Sequence, residues 1–373
     1  MKVIYHGFDG LEFAIKASLT EEMCGEFSAA QELAKENDEF CALKVGDEWL
    51  HIHSTGARGG YAYRLSHAST GTWFFKKHSL NNDAWGVRFS AASHALAISG
   101  LEGLRQKCAA LLLTLGIKAS DSDYRPSRAD FAVDFIIPNF EPKPENFVIN
   151  SQTNRKGISE IEGIETNAKS NRITSITVGK MPNRQVIIYD KSLEANIRRK
   201  GEWPLIWRQN VGSELDGARV WRVELRIAKR HFKDVWNVDG WASFYELLKR
   251  ILQKLLNDIR YCEPNAEAKR ARWTVHPIWQ EVSRVASESL FDHIPTLTPD
   301  KYVEVKREQK IDELQKQALG LLISTAAIED VKSVDLEEFL INAAKSLAQT
   351  AQTSNPPLEQ KIARAKARYI HLV

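Results

Sequence analysis

The segment Arg128-Ala-Asp-Phe-Ala-Val-Asp134 alternates polar and apolar side chains with a period of two. Successive side chains of a β-strand point to opposite faces, so Arg128, Asp130 and Asp134 would share one face while Phe131 and Val133 occupy the other. The pattern predicts a half-buried strand whose apolar face packs into a core. Its other face carries charged groups.

Two later segments repeat this pattern. Val186-Ile-Ile-Tyr-Asp-Lys191 places Tyr189 and Lys191 on one face, and Trp221-Arg-Val-Glu-Leu-Arg226 places Arg222, Glu224 and Arg226 on one face. Their apolar residues fall on the alternate positions, as expected for strands covered on one side. We predict that the three segments lie in one sheet, with their polar side chains on the same side.

The organisation of the chain predicts an α+β fold class, with antiparallel sheets and packed helices followed by an all-helical C-terminal region. Short segments rich in aromatic and β-branched residues, separated by Gly, Asn and Asp turns, fill the first third and predict an antiparallel meander. Helical periodicity is found near 21–35 and 101–115 and returns from Trp241 onward. Residues 139–170 show no clear periodicity and are predicted to form a loop.

These patterns predict three domains within the 373 residues. They are an N-terminal α+β domain at 1–118, a second domain at 119–260 that contains the three alternating segments, and a helical region at 261–373. The apolar share of 43% and charged share of 27% are ordinary for a globular protein with a sizeable core.

Composition excludes several classes of function. A formal net charge of +3 means that a nucleic-acid partner would have to bind local basic patches. The four cysteines are scattered without CxxC spacing, which predicts reduced thiols in a cytoplasmic protein. No apolar run reaches about 18 residues, so the sequence predicts no membrane span. The sequence also lacks a Gly-x-x-x-x-Gly-Lys-Ser/Thr loop, so unwinding driven by its own ATP hydrolysis is not expected.

The residue types on the three polar faces suit attack of a tyrosine on a phosphodiester. A tyrosine hydroxyl has an unperturbed pKa of about 10, so its charged form needs a metal or another cation nearby. Asp130, Asp134 and Glu224 would offer oxygen ligands to Mg²⁺ or Mn²⁺, and Lys191 could stabilise the phenolate of Tyr189 or the leaving group.

Arginines on the same faces, Arg128, Arg222 and Arg226, would hold the flanking phosphates. An alternative interpretation of the same residues is a set of ordinary ion pairs across adjacent strands. Spacing alone leaves both interpretations open.

Together these segments resemble the Rep_trans replication initiation family, the rolling-circle initiators and related relaxases of mobile elements. The resemblance rests on Arg-x-Asp-x-x-x-Asp, Ile-Tyr-Asp-Lys and Trp-Arg-Val-Glu-Leu-Arg in this order, and on the opening Phe8-Asp-Gly-Leu-Glu-Phe. It extends from residue 8 to about residue 245 and implies an RRM-like or HUH-like nickase core, with the catalytic domain at 119–260.

The resemblance implies that Tyr189 nicks one DNA strand, keeps a 5′-phosphotyrosyl link and leaves a 3′-hydroxyl that primes synthesis. Glu224 and the Asp130/Asp134 pair would surround a divalent ion. The implied partners are origin DNA, single-stranded or as an extruded hairpin, and a host helicase. A homodimer is also considered, and the process started would be rolling-circle replication or mobilisation.

The tripeptide His51-Ile-His53 offers an alternative pair of metal ligands, His51 and His53. HUH nickases hold their metal with histidines in this arrangement, and two histidines at i and i+2 share one face of a strand. The competing interpretation is a pair of solvated or hydrogen-bonded strand histidines.

Basic residues outside the three faces are candidates for following a DNA backbone. Each cluster could equally be a solvated surface. Two rival functions also remain, a non-catalytic origin- or operator-binding protein and a hydrolytic metal-dependent nuclease. The DNA-binding candidates, besides Arg222 and Arg226, are Arg184, Arg198, Arg199, Lys200, Lys229, Arg230, Arg270 and Arg272.

Overall fold

A computed structural model describes residues 1–36, 40–78, 85–149, 163–293, 297–353 and 355–372. The chain forms two compact units, Met1–Thr298 and Pro299–Val373.

The strands of the first unit form one large sheet and one small sheet. In chain order they are β1 (Lys2–Ile15), β2 (Cys41–Val45), β3 (Glu48–Ile52), β4 (Tyr63–His67), β5 (Gly71–Phe75), β6 (Val87–Ala91), β7 (Tyr124–Ile136), β8 (Phe147–Ile149), β9 (Ile164–Lys169), β10 (Arg172–Lys180), β11 (Arg184–Asp190), β12 (Val220–Ala228), β13 (Ile259–Glu263) and β14 (Thr274–Val275).

The α-helices of the described residues are divided between the two units. In the first unit they are α1 (Glu21–Glu36), α2 (Ser93–Thr114), α3 (Lys191–Ile197), α4 (Glu202–Val211), α5 (Trp241–Asp258) and α6 (Pro277–Glu288). In the second they are α7 (Pro299–Ile328), α8 (Leu336–Gln352) and α9 (Leu358–Arg368).

The large sheet has eleven strands in the order β2-β3-β4-β5-β6-β1-β7-β12-β11-β10-β9, and its neighbouring strands pair antiparallel. The first strand of the chain therefore lies in the middle. A three-stranded sheet, β14-β13-β8, lies apart from it.

The two faces of the large sheet differ as the alternation predicts. On β5, Trp73 and Phe75 are buried while Thr72 and Phe74 on the other face are half-buried. Helices cover the face that carries Trp73 and Phe75, which we call the core face. Phe27 of α1 packs its ring against Phe75, and aromatic residues of α5 pack on β1.

One end of the opposite side, which we call the polar face, is covered by α4. There the ring of Trp203 packs edge-on against Tyr5 of β1. The three segments singled out in the sequence lie on neighbouring strands β7, β12 and β11, and Arg222 pairs in register with Asp134 on one side and Tyr189 on the other. The prediction that one sheet collects their polar side chains is confirmed.

The α+β class with antiparallel sheets and packed helices is confirmed, and the described part of 299–372 consists of helices joined by turns. The units differ from the predicted domains, because β1 pairs with β7 along most of its length and joins residues 1–118 to 119–260 in one sheet. The region from 261 also contributes β13 and β14 to the first unit.

Strands interrupt the predicted loop at 139–170. β8 and β9 lie within it, while residues 150–162 fall outside the described part of the chain. Among the described helices, none is long and apolar enough to cross a membrane.

Candidate active site

The site centres on Tyr189, near the end of β11 on the polar face. Its hydroxyl donates a hydrogen bond of 3.0 Å to Oε2 of Glu224 on β12. The half-buried ring lines an open cleft of about 540 Å³, whose walls also include Lys191, Glu224 and Arg226. The tyrosine therefore joins a carboxylate and two cations at an accessible surface.

A chain of alternating charges continues across the sheet from Glu224. Its Oε1 accepts a 2.7 Å bond from Nε of Arg226, and the same nitrogen lies 4.0 Å from Oδ2 of Asp130. Asp130 in turn pairs with Arg128 at 2.6 Å. These four residues line a second cleft of about 220 Å³ beside the first.

The backbone of β1 makes room for Asp130. Gly10 lies opposite it in register, and a Cβ built on Gly10 would meet Oδ2 of Asp130 at 2.5 Å. A side chain at position 10 would therefore displace a carboxylate that Arg128 holds in place.

Asp134 lies in a separate, fully buried ion pair. Its two oxygens accept bonds of 2.5 and 2.8 Å from Arg222, and the indole of Trp207 donates a further 2.8 Å bond. Arg222 also donates to Asp9 at 2.6 Å. Arg222 is thus shared between two carboxylates. It is the register partner of Tyr189 on the neighbouring strand, and α4 covers it.

Lys191 follows Tyr189 at the start of α3 and is almost completely buried. Its ammonium pairs with Glu194 at 2.8 Å and lies 4.7 Å from the ring of Trp203 and 5.6 Å from the ring of Tyr189. A cation therefore stands directly beside the candidate nucleophile.

Burial dominates the electrostatics of the site. It raises the pKa of the Tyr189 hydroxyl well above its usual range, and the neighbouring Glu224 adds to the rise. It also raises the pKa of Asp130 to about 7, a rise that the hydrogen bonds from Arg128 oppose and the charge of Glu224 reinforces. Burial lowers the pKa of Lys191. The tyrosine is a neutral hydrogen-bond donor, so attack requires a base to remove its proton.

The carboxylates do not form the predicted three-carboxylate metal centre. Within the described residues, no three or more His, Cys, Asp or Glu side chains are grouped so that they could hold a metal ion. Asp134 is bound by Arg222, and Arg226 lies against Glu224 and close to Asp130, balancing their charge. The arrangement does not fit the predicted ligand set, and Mg²⁺ or Mn²⁺ stays a prediction.

His51 and His53 are too far from Tyr189 to share an ion with it. His51 lies on β3, seven strand spacings from β11, which is about 34 Å at the usual spacing. Its ring stacks on Phe40, and His53 bonds to Ser66 at 2.8 Å. The prediction that His51 and His53 are alternative metal ligands at this site is therefore wrong.

Two of the predicted DNA contacts are buried in ion pairs. Arg184 alternates with Gln185 and so faces the core side, where it pairs with Asp258 at 2.7 Å. Arg222 is fully buried between Asp134 and Asp9. Neither guanidinium reaches the surface, so their predicted role in gripping phosphates is wrong for this geometry.

The other predicted contacts remain accessible. Arg198 and Lys200 line the Tyr189 cleft, where both pair with Glu194. Arg199 is exposed after α3. Four further predicted contacts are also exposed: Lys229, Arg230, Arg270 and Arg272.

Sequence reasoning missed Asp9 and Trp207. The register of β1 against β7 shifts between Phe8 and Gly10, so the residue at position 9 departs from simple alternation. A glycine next to an aspartate in a strand is a recognised sign of such a bulge. No sequence signal joins Trp207 to Asp134, which is 73 residues away.

No family model matches the sequence, and no curated protein matches it. A solved structure titled as that of the rolling circle replication initiator protein from Geobacillus stearothermophilus is 12% identical, covers 78% of this chain and 99% of its own, and superposes with a TM-score of 0.41. A TM-score this low does not establish a shared fold.

Proposed function

We propose that this protein is a site-specific DNA nickase and strand transferase that starts rolling-circle replication or mobilisation of a mobile element. The observation that supports the proposal most directly is the hydrogen bond from Tyr189 to Glu224 in an open cleft with cationic walls. A nucleophile bonded to a base is the pairing that covalent catalysis needs.

In the proposed reaction, the oxygen of Tyr189 attacks a DNA phosphorus as Glu224 accepts the phenolic proton. The bond from phosphorus to the 3′ oxygen breaks, and the departing oxygen takes a proton from solvent, to which Glu224 releases the proton that it accepted. The products are a 5′-phosphotyrosyl link and a free 3′-hydroxyl. The base is essential because burial keeps the phenol protonated.

Cations at the cleft would balance the charge that develops on the phosphate. Arg226 and Lys191 flank the tyrosine, while Arg198 and Lys200 lie on the α3 side of the same cleft. Preorganised positive groups of this kind stabilise a transition state more effectively than solvent does. Arg128 would act indirectly, because its ion pair holds the carboxylate of Asp130 in place.

The decisive experiment looks for a covalent adduct. The protein is incubated with Mn²⁺ and a labelled single-stranded oligonucleotide carrying the origin, and a denaturing gel is used to detect label bound to protein. We expect an adduct with the wild type and none with Tyr189→Phe. Parallel reactions with EDTA, Mg²⁺ and Mn²⁺ test the predicted metal requirement.

Tyr245→Phe is the matched control. Its hydroxyl also donates a 3.0 Å bond to a glutamate, Glu102, but on the helices of the core face. This variant should keep full adduct formation. Cleavage without an adduct would indicate a hydrolytic nuclease, and origin binding without cleavage a non-catalytic DNA-binding protein; either result contradicts the proposal.

A further inference from the structure

We propose that the polar face of β3–β6 is a binding track for single-stranded DNA that leads into the Tyr189 cleft. The inference rests on the proposed function and adds to it the surface that holds the unpaired strand. It concerns residues that lie outside the three segments discussed so far.

Aromatic rings and cations alternate on this surface. Arg64 on β4, Phe74 on β5 and Arg88 on β6 are direct register partners across three neighbouring strands. Arg64 is exposed, Phe74 and Arg88 are half-buried, and Trp49 on β3 keeps 40% of its surface exposed. The ring of Tyr61 lies 6.1 Å from that of Phe74. We call these five residues the platform.

Cations of the region lie close to aromatic rings. The guanidinium of Arg88 is 5.3 Å from the ring centre of Phe74, and the ammonium of Lys76 is 5.6 Å from that of Tyr61. Next to β1, the guanidinium of Arg125 lies 4.4 Å from the ring of Trp85. Rings for stacking combined with positive charge are what proteins use to bind unpaired nucleic acid without sequence preference.

Charge on these strands also suits a phosphate backbone. Over β2–β6, all of which the structure describes, the polar-face positions carry no carboxylate. Glu48, the one acidic residue of these strands, points to the core face, where it pairs with His67 at 2.9 Å. The polar-face residues are Ala42, Lys44, Trp49, His51, Arg64, Ser66, Thr72, Phe74, Arg88 and Ser90.

The platform is continuous with the candidate active site. Arg88 pairs with Glu12 on β1 at 2.7 Å, and Glu12 lies 4.0 Å from Arg128, the partner of Asp130. From β5 to β11 there are five strand spacings, about 24 Å. A single strand of DNA that lies across the sheet would therefore touch the platform while one of its phosphates is at Tyr189.

Single-stranded DNA fits this surface better than duplex DNA. Bases in a duplex are stacked on each other, so their faces cannot reach exposed rings, whereas unpaired bases stack freely on aromatic side chains. A nickase that acts on a melted strand also has unpaired nucleotides beside the cut.

The test measures binding of fluorescein-labelled oligonucleotides by anisotropy. The full chain is titrated with origin-derived single strands that extend from the nick site on the 5′ or the 3′ side, and with the corresponding duplex. Phe74→Leu should weaken binding of one extended single strand about tenfold, whereas Phe74→Tyr, which keeps the ring, should bind like the wild type. Arg64→Ala should weaken binding and reduce the salt dependence by about one phosphate contact.

Lys249→Ala and Arg250→Ala are the matched controls, because both lie exposed on α5, which covers the core face. They should leave the affinity unchanged. Wild-type affinity in both Phe74→Leu and Arg64→Ala would overturn the platform, as would an equal loss for duplex and single strand.

Tyr189→Phe separates this inference from the proposed function. It should lose the adduct and keep single-strand affinity. If no variant of the platform changes binding while the adduct still depends on Tyr189, the platform fails and the nickase stands. If the platform variants lose binding but the wild type forms no adduct, the nickase fails and the platform stands.

Discussion

The two halves of the large sheet show one polar face in two different states. Around β7, β12 and β11 the charged side chains are mostly buried, and arginines alternate with carboxylates. Around β3–β6 the same face carries arginines and rings that are at least partly exposed, and these strands, all of them described, place no carboxylate on it; Arg88 of the platform pairs with a carboxylate of β1, that of Glu12. Identical alternation along the strands therefore produces a charge-balanced pocket in one half and a cationic surface in the other.

The difference shows that covering elements decide what a polar strand face can do. Trp203 and Trp207 of α4 exclude water from Arg222 and Asp134, so those charges have to pair with each other. On β4 and β5, by contrast, Arg64 is exposed and Phe74 is half-buried, so both side chains can meet a ligand. Tyr189 belongs to the first half, where its half-buried ring lines an open cleft.

The largest expected effect is on the rate of the proposed chemistry. Glu224→Gln keeps the shape of the side chain and a hydrogen-bond acceptor for Tyr189, but removes the base. We expect adduct formation to slow by a factor on the order of 10²–10⁴ in single-turnover assays, with unchanged affinity for single-stranded DNA. A rate within twofold of the wild type would remove Glu224 from the mechanism.

A large effect on stability should separate the two halves. Arg222→Ala leaves Asp134 as an unpaired buried charge and removes the partner of the half-buried Asp9, and we expect it to lower the free energy of unfolding by about 3–5 kcal/mol. Arg64→Ala, the same change on the open half, should alter it by no more than about 0.5 kcal/mol. Urea unfolding followed by circular dichroism measures both, and equal losses would contradict the contrast.

A smaller effect concerns pH. Asp130 has a pKa of about 7 in the folded protein and of about 3.9 in an unfolded chain. Between these values the folded state binds more protons, so Asp130 makes the protein less stable as the pH rises from about 4 to about 7. Urea midpoints for Asp130→Asn and the wild type should shift in favour of the variant over this range. A constant difference would show that Asp130 ionises normally.

Sequence alternation predicted the placement of the site well, because a period of two fixes the face of each side chain once strands pair. Tyr189, Glu224 and Asp130 lie on one face of neighbouring strands, as this rule predicts. The same rule places Arg184 with Val186 and Ile188 on the core face, so alternation itself argues against a contact between Arg184 and DNA.

Other features depend on contacts that a single sequence does not encode locally. Asp134 looked like a metal ligand because nothing near it in the chain indicated that Arg222 and Trp207 would take both its oxygens. The order of strands was also out of reach, since residues 2–15 pair with both 87–90 and 124–136.

The central place of β1 has a consequence for how the sheet is assembled. Without residues 2–15 the remaining strands of the large sheet would fall into two groups of five, β2–β6 and β7 with β9–β12, and β6 and β7 would become unpaired edges. During synthesis the first strand must wait for more than a hundred residues before β7 completes its other side. Pairing between such distant segments slows folding. Cutting the gene between residues 118 and 119 would separate β1 from β7 and leave an unpaired edge on each fragment, so we expect the fragments to aggregate instead of forming two working halves.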